Sequence, residues 1–290
     1  IMAETKGDDA INSCLNIMRR MPPSKIEMNL SGLLNLLPEL TDDLLQRVDQ
    51  PLQIGIDETN NKKFIKCDYN RDGDSYRSPW SNQFFPDIED GFMPPDSLRE
   101  QELSANRVFD AYRQLYFEGG VSSVYFWELD DTAFAGAFLV KKDVTEKKRS
   151  VSQGCWDSIH ILEARDGGNG EGKYKLTTTV MLSMVVPDSE GGGGVVNLSG
   201  SLTRQASKTC KLDKVNTHVV NMGKMIEEME ITLRKQLDDL YIQRTRHIVN
   251  SIRKPYAAGK GKDGPSKNFL ADLAGAMGKQ SAKLNKFNSK

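Results

Sequence analysis

Gly119-Gly120-Val121-Ser122-Ser123-Val124-Tyr125-Phe126-Trp127-Glu128-Leu129 is where this 290-residue chain changes period. Upstream, apolar residues recur every three or four positions. From Val121 onward they follow the two-residue alternation of a strand, and β-branched and aromatic types dominate. Four further segments continue the pattern, 134–142, 151–164, 174–186 and 195–204. Their joints are short: Asp130-Asp131, the charged run 143–149, the glycines of 166–172 and the block 191–194. Short joints force antiparallel neighbours, so 121–204 predicts a five-stranded antiparallel meander. Gly168, Gly170 and Gly172 have the look of a phosphate loop. No Lys-Ser or Lys-Thr follows and no helix opens there, so they read as a hairpin tip.

Helical patterns flank the strands. Downstream, Met222, Ile226, Met229, Leu233, Leu237, Leu240, Ile248 and Ile252 share three-and-four spacing and predict one helix over 217–253. At ~1.5 Å per residue it would run roughly 50 Å and cross a sheet. Upstream, 96–118 predicts a helix closed by Gly119-Gly120, where glycine can take a left-handed cap. Earlier still, Ile11, Leu15 and Met18 predict a helix over 8–21 that stops at Pro22-Pro23. Ser24 and Glu27 form a capping box for a second, with Ile26, Leu30, Leu33, Leu34 and Leu37 on one face. Thr41 can cap a third, ending by Val48 before Pro51. Proline hinges between short helices predict an antiparallel three-helix bundle with an internal apolar core. Between bundle and long helix pattern, 52–56 and 64–67 alternate around Asn60-Asn61 as a hairpin, and 84–95 is an irregular loop.

The expected fold is therefore α+β, in five parts: a helical stalk at 1–50, a linking region at 51–120, the sheet at 121–205, the long helix at 206–253 and a basic tail at 254–290. One sheet with two open edges and one helix on one face is an incomplete body. Pairing with another subunit through strand 195–204 or through the long helix would complete it. Val195, Asn197, Leu198, Leu202, Met222 and Ile226 are the candidates for that interface.

The segment Cys67-Asp68-Tyr69-Asn70-Arg71-Asp72-Gly73-Asp74 places Asp68, Asn70, Asp72 and Gly73 at the first, third, fifth and sixth positions of an EF-hand loop. The twelfth position, where a bidentate Glu belongs, is Pro79. That argues against calcium and for turns in which Asp and Asn bond their own backbone, with Tyr69, Tyr76 and Trp80 pinning the segment to a neighbour. A calcium sensor remains the alternative reading of these residues.

The net charge of −1 conceals an asymmetry. The tail carries eight lysines against Asp263 and Asp272, a net +6, which leaves −7 for residues 1–253. Phe269, Leu270, Leu273 and Met277 lie on one face of a short amphipathic helix within it, tethered by a Gly- and Lys-rich linker. Alone, about ten to twelve residues are marginal as a helix. The tail gains strength when the body supplies a second contact and raises its effective concentration. Folding back on its own domain is the plainer alternative. The charge by itself suits an acidic protein, an anionic lipid surface or nucleic acid, so a lipid-surface protein acting through the tail also stays open.

No apolar run reaches the ~20 residues of a membrane span, and no basic region followed by an apolar core marks secretion, so the chain reads as cytoplasmic. Cys14, Cys67, Cys155 and Cys210 are scattered without a CxxC pair, which argues for reduced, mostly buried thiols rather than a metal site or disulfide framework. His160, His218 and His247 sit at no metal-ligand spacing, and His160 lies in a strand pattern. There is no Gly-x-Ser-x-Gly elbow and no Walker loop, and Asp130-Asp131 reads as a turn. No catalytic set, metal or cofactor is expected.

Residues 67–82, Cys-Asp-Tyr-Asn-Arg-Asp-Gly-Asp-Ser-Tyr-Arg-Ser-Pro-Trp-Ser-Asn, are similar to the signature of the β subunit of the heterodimeric actin filament capping protein. Leu-Asn-Ile-Met-Arg-Arg-Met-Pro-Pro at 15–23, Asp-Gln-Pro-Leu at 49–52, Leu-Tyr-Phe-Glu-Gly-Gly-Val-Ser-Ser-Val-Tyr at 115–125, Gly-Cys-Trp-Asp-Ser-Ile-His at 154–160 and Gly-Ser-Leu-Thr-Arg-Gln at 200–205 extend the resemblance, which covers 8–253. It implies a heterodimer with the capping protein α subunit, in which two five-stranded sheets join and a long helix from each crosses them. It also implies a steric block at the filament barbed end, made by mobile C-terminal helices and a basic patch, in the cytoplasmic actin cytoskeleton. Leu270 resembles the anchoring leucine of the tail, with Phe269, Leu273 and Met277 extending its face. Arg234 resembles a basic position associated with actin and phosphoinositide contact, and Arg244 and Arg246 keep that character. Phosphoinositides and capping-protein-interacting peptide motifs follow as regulators, and nucleic acid does not. The tail departs from the family in its Gly and Ala content, in Pro265 and in continuing past Lys279.

Overall fold

The computed structural model describes residues 2–144, 153–187 and 195–239. Three helices open the chain, α1 (Met2–Met18), α2 (Ile26–Leu36) and α3 (Thr41–Arg47). A hairpin of β1 (Gln53–Asp57) and β2 (Lys62–Lys66) follows, then a small three-stranded ribbon of β3 (Arg71–Asp72), β4 (Ser75–Arg77) and β5 (Phe84–Phe85). Helix α4 (Asp96–Tyr116) leads into β6 (Val121–Asp130), β7 (Ala133–Val144), β8 (Gln153–Gly168), β9 (Glu171–Pro187) and β10 (Val195–Lys211), and α5 (His218–Leu237) comes last. The five long strands form one antiparallel sheet in the order β10-β9-β8-β7-β6, so sequence neighbours are spatial neighbours throughout. The chain is α+β. No helix among the described residues is long and apolar enough to cross a membrane.

Strand alternation sends successive side chains to opposite faces, and both faces are apolar here. Val124, Phe126, Phe138, Val140, Leu162 and Leu176 face α4 and α5. Tyr125, Ala137, Leu139, Ile159 and Met181 face the other way and meet Leu15, Met18, Ile26, Leu30 and Leu44 of the first three helices together with Ile65 of β2. The apolar faces of α1–α3 thus close on the sheet as well as on one another, which corrects the expectation of a self-contained helical core and of a sheet with only one covered face. Phe126 lies directly over Gly136, where a Cβ would stand 2.5 Å from the ring. Beyond the reach of α1–α3 the described residues of the second face form a cleft of about 380 Å³ beside Leu129, Arg165, Lys173 and Lys175.

Several local expectations are corrected. Ser24 does not cap α2: a 3-10 turn at Pro23–Lys25 precedes the helix, Lys25 stands at the cap position and no side chain bonds there. Proline sets φ for that turn early and places Ser24 inside it. Thr41 is likewise the first residue of α3 rather than its cap, and its hydroxyl donates back to the Pro38 carbonyl at 2.8 Å. Strand β10 runs on to Lys211, past 204, because β9 pairs with it along its whole length to Glu171. Of the four cysteines only Cys14 is fully buried. Between β8 and β9, Gly168, Asn169 and Gly170 all have positive φ, and left-handed residues in series explain why glycine recurs at this tip.

The outer edge of β6 is closed by α4. The Asn106 side chain donates to Val124 O and accepts from Val124 N, both at 2.9 Å, so one amide mimics a neighbouring strand. Glu102 accepts from Phe126 N at 2.7 Å and is gripped by Arg77 through two N–H groups at 2.8 Å, while Arg99 reaches the same carboxylate. Glu102 is wholly buried and Arg77 nearly so. Removing one partner of such a pair leaves an uncompensated buried charge. Glu102→Ala should therefore lower unfolding stability by about 3 to 5 kcal/mol, read from thermal or denaturant melts. Asp43→Ala, which breaks the exposed Arg47–Asp43 pair, should cost less than about 1 kcal/mol. Equal effects would show that the β6 edge does not depend on Glu102.

Candidate functional site

Two features of the described residues stand out: the outer edge of β10, and Arg234 in the last turn of α5. On β10, Ser201 N donates outward to Arg19 O at 3.0 Å, which fixes the phase of the strand. Every second residue then points the same way. Thr203 O takes the side chain of Arg204, and Lys211 O takes Asn221. The backbone groups of Gln205, Ser207 and Thr209 have no partner on that side among the described residues. An unpaired strand edge accepts another strand.

The interface candidates separate accordingly. Val195, Asn197 and Leu198 lie at the start of β10, in register with Pro187, Val185 and Met184. Leu202 pairs with Val180 and packs partly against the core. Met222 and Ile226 are 0% and 1% exposed. They belong to the core that holds α5 on its own sheet, so their surface is already spent within the chain. The reason is phase: on α5 the three-and-four stripe faces β8, β9 and β10 of the same subunit, and sequence alone does not say which sheet a helix stripe faces.

Arg234 sits on α5 with its side chain 37% exposed. Its Cζ is 5.0 Å from the Phe117 ring, 5.4 Å from Tyr116 and 5.9 Å from Trp156. Its Nε is 3.5 Å from Glu230 Oε2. Glu230 is 1% exposed and anchored from β8: the Ser158 hydroxyl donates to Oε1 at 2.6 Å, and His160 Nε2 lies 3.1 Å from the same oxygen. On its other side the His160 ring meets Thr178 Oγ1 at 3.0 Å. The histidine read as a sheet residue is thus a buried strut between β8, β9 and α5. Sequence reasoning missed Glu230 and the three rings, because nothing in their spacing joins 116, 117, 156, 230 and 234. Arg244, Arg246, Phe269, Leu270, Leu273 and Met277, the end of the 217–253 helix and the tail lie outside the described residues.

The 66–82 stretch is structural. A 3-10 turn at Asp68–Asn70 passes into the β3–β4 hairpin, not into the exiting helix of an EF-hand. The buried Asn70 side chain accepts from Cys67 N and donates to Ile65 O and Arg77 O, so its oxygen is committed. Asp72 accepts from Phe92 N. Tyr69 stacks on Trp127 at 5.3 Å, and the Trp80 indole donates to Lys63 O. Burial, with Asp157 alongside, pushes the Cys155 thiol up to about 12, and burial does the same to Cys67. Neither is a thiolate nucleophile at neutral pH. Asp130 accepts from Thr132 in its turn and from Arg165.

A family model described as F-actin capping protein, beta subunit, matches residues 11–249. The F-actin-capping protein subunit beta of Dictyostelium discoideum is 47% identical over 269 residues, covering 92% of this chain and 97% of that protein. The subunit beta of Drosophila melanogaster is 48% identical over 244 residues, covering 84% and 87%, and that of Caenorhabditis elegans 46% over 247 residues, covering 85% and 90%. A solved structure, the homodimeric actin capping protein alpha subunit from Plasmodium berghei, matches with a TM-score of 0.48 and 15% identity over 88% of this chain and 99% of that one, too distant to argue from.

Glu230 also sets an acid dependence. Burial raises its pKa, but the contact with His160, the bond from Ser158 and the charge of Arg234 outweigh it and hold the carboxyl below its usual 4.5. A carboxyl held lower in the folded than in the unfolded chain contributes stability above the unfolded value and loses it as pH falls through the folded one. Glu230→Gln should lower the melting midpoint at neutral pH and flatten its fall below about pH 4.5. An acid limb identical to that of the wild type would mean that Glu230 is not the group responsible.

Proposed function

This chain belongs to the F-actin capping protein β-subunit family, and on that premise we propose that it pairs with a capping protein α subunit, sits on the barbed end of an actin filament and blocks subunit gain and loss sterically. The observation that carries the pairing is the asymmetry of the sheet edges. On β6, Asn106 takes up Val124 N and O and Glu102 takes up Phe126 N, while among the described residues the outward backbone groups of Gln205, Ser207 and Thr209 on β10 have no partner. A strand from the α subunit added there extends one antiparallel sheet across both subunits, with Val195, Asn197 and Leu198 at one end of the seam. Residues 1–50 serve as the stalk, and the helix from His218 onward crosses the joined sheet.

The contact with the filament falls to the basic end of the long helix and to the tail. Arg234, Arg244 and Arg246 supply positive charge toward acidic actin, and Phe269, Leu270, Leu273 and Met277 supply the apolar face of a tethered helix. Such a helix pays for its own ordering, so it works as the second of two linked contacts. Blocking needs no bond chemistry, which agrees with the raised thiol pKa of Cys67 and Cys155 and a histidine locked in the core. The reading places the protein in the cytoplasm at the actin cytoskeleton, with capping independent of calcium. Phosphoinositides and capping-protein-interacting peptides are its candidate regulators.

Co-expressed with an α subunit, the chain should stop barbed-end elongation from filament seeds at substoichiometric concentration. Leu270→Asp removes a leucine whose burial against the filament would contribute about 1.5 to 3 kcal/mol, and should weaken capping on the order of ten- to a hundred-fold. Truncation after Arg253 should weaken it further. A heterodimer that forms and leaves elongation untouched would reduce the family likeness to architecture. Capping should also be the same with calcium and with a chelator. Calorimetric calcium binding abolished by Asp68→Ala would instead favour the sensor reading.

A further inference from the structure

We infer that Tyr116, Phe117 and Trp156 are positioning residues for Arg234, and that the chain offers this guanidinium as a preset group rather than a freely swinging one. The inference rests on the proposal that Arg234 faces the filament. Three rings from two separate elements converge on one cation. Tyr116 and Phe117 come from the C-terminal end of α4, Trp156 comes from β8, and all three ring centres lie within the ~6 Å at which an aromatic face attracts a guanidinium.

The enclosure is itself tied down. The Trp156 indole N–H donates to Ser158 Oγ at 2.7 Å, and Ser158 in turn donates to Glu230, the carboxylate beside Arg234. The Tyr116 hydroxyl donates to Glu227 Oε1 at 3.0 Å, one turn earlier on α5. Arg234 Nε therefore lies at ion-pair distance, 3.5 Å, from a buried carboxylate oxygen, with the three rings around the guanidinium. Among the described residues its two terminal nitrogens have no hydrogen-bond partner. That leaves a planar donor edge facing outward, the geometry that arginine uses on carboxylates and phosphates.

Arg77, another arginine against a ring, makes the contrast. It lies 5.6 Å from the Tyr125 centre, but its fork is consumed by Glu102 and it is buried. Arg234 keeps the stacking, and among the described residues its terminal nitrogens have no partner. A side chain already confined in its bound geometry loses less conformational freedom on association, so the rings raise affinity without touching the target.

The test is a double-mutant cycle in the α/β heterodimer, read as the dissociation constant for barbed ends from seeded elongation. Tyr116 is 46% exposed, so Tyr116→Leu removes a ring with little risk to folding. It should weaken capping about two- to fivefold, and Trp156→Leu by more. Tyr116→Phe, which keeps the ring and drops the hydroxyl, should bind within a factor of about two of wild type. In an Arg234→Ala background both leucine variants should lose most of their effect, because they act through that cation. Losses that add to Arg234→Ala would overturn the inference while leaving Arg234 a contact, and so would a Tyr116→Phe as weak as Tyr116→Leu. An Arg234→Ala heterodimer that caps like wild type would overturn both the positioning role and the filament contact of Arg234. Should Trp156→Leu fail to assemble, the Tyr116 series decides alone.

Discussion

The outer edge of β6 is closed by side chains rather than by a strand, and much of the molecule follows from that. An edge strand must satisfy a row of N–H and C=O groups or expose them to water. Here Asn106 and Glu102, one turn apart on α4, take up Val124 and Phe126, and Arg77 neutralises the carboxylate from the ribbon that follows β2. One cluster thus joins the 66–82 turn, the α4 helix and the sheet. Its cost is the desolvation of a charge, which is tolerable because the carboxylate oxygens are met by guanidinium and backbone donors at 2.7 to 2.8 Å.

Closing one edge directs growth to the other. With Val124 and Phe126 N taken up on β6, a wider sheet is more readily built on β10, whose outward groups are met among the described residues only in part, by Arg19, Arg204 and Asn221. The same helix that seals β6 ends at Tyr116, and its last ring and the following Phe117 reach α5 and Arg234. One helix therefore both covers part of the β6 edge and brings rings to Arg234. His160 and Glu230 tie α5 to the sheet, as Glu102 ties α4 to the sheet through Phe126 and to the ribbon through Arg77; burial makes a satisfied polar contact stronger and a broken one costly.

How far the residues could be read depended on the range of the interaction that decides each feature. The meander was legible because period two and short joints are local signals, and the five strands fall where alternation placed them, with β10 extended by its pairing to β9. The turn at 66–82 was legible from its Asp, Asn and Gly content. The capping box at Ser24 and the cap at Thr41 misread local chemistry that Pro23 and Pro38 had already redirected into 3-10 turns. Met222 and Ile226 were read as surface available to a partner, although a helix stripe carries no label for the sheet it will meet.

The sequence by itself determined the α+β class, the antiparallel order, the charge asymmetry of the tail and membership of the capping β-subunit family, because each is written in spacing, composition or contiguous motifs. Only the tertiary structure decided that α1–α3 lie on the sheet, that Glu102 and Asn106 act as a substitute strand, and that three rings and Glu230 enclose Arg234. The bond from Phe126 to Glu102 spans 24 positions of the chain, the ring contact from Tyr116 to Arg234 spans 118, and the bond from Ser201 to Arg19 spans 182. Such contacts exist only after the backbone has closed on itself, and then packing density and the need to satisfy every buried polar group choose the partners.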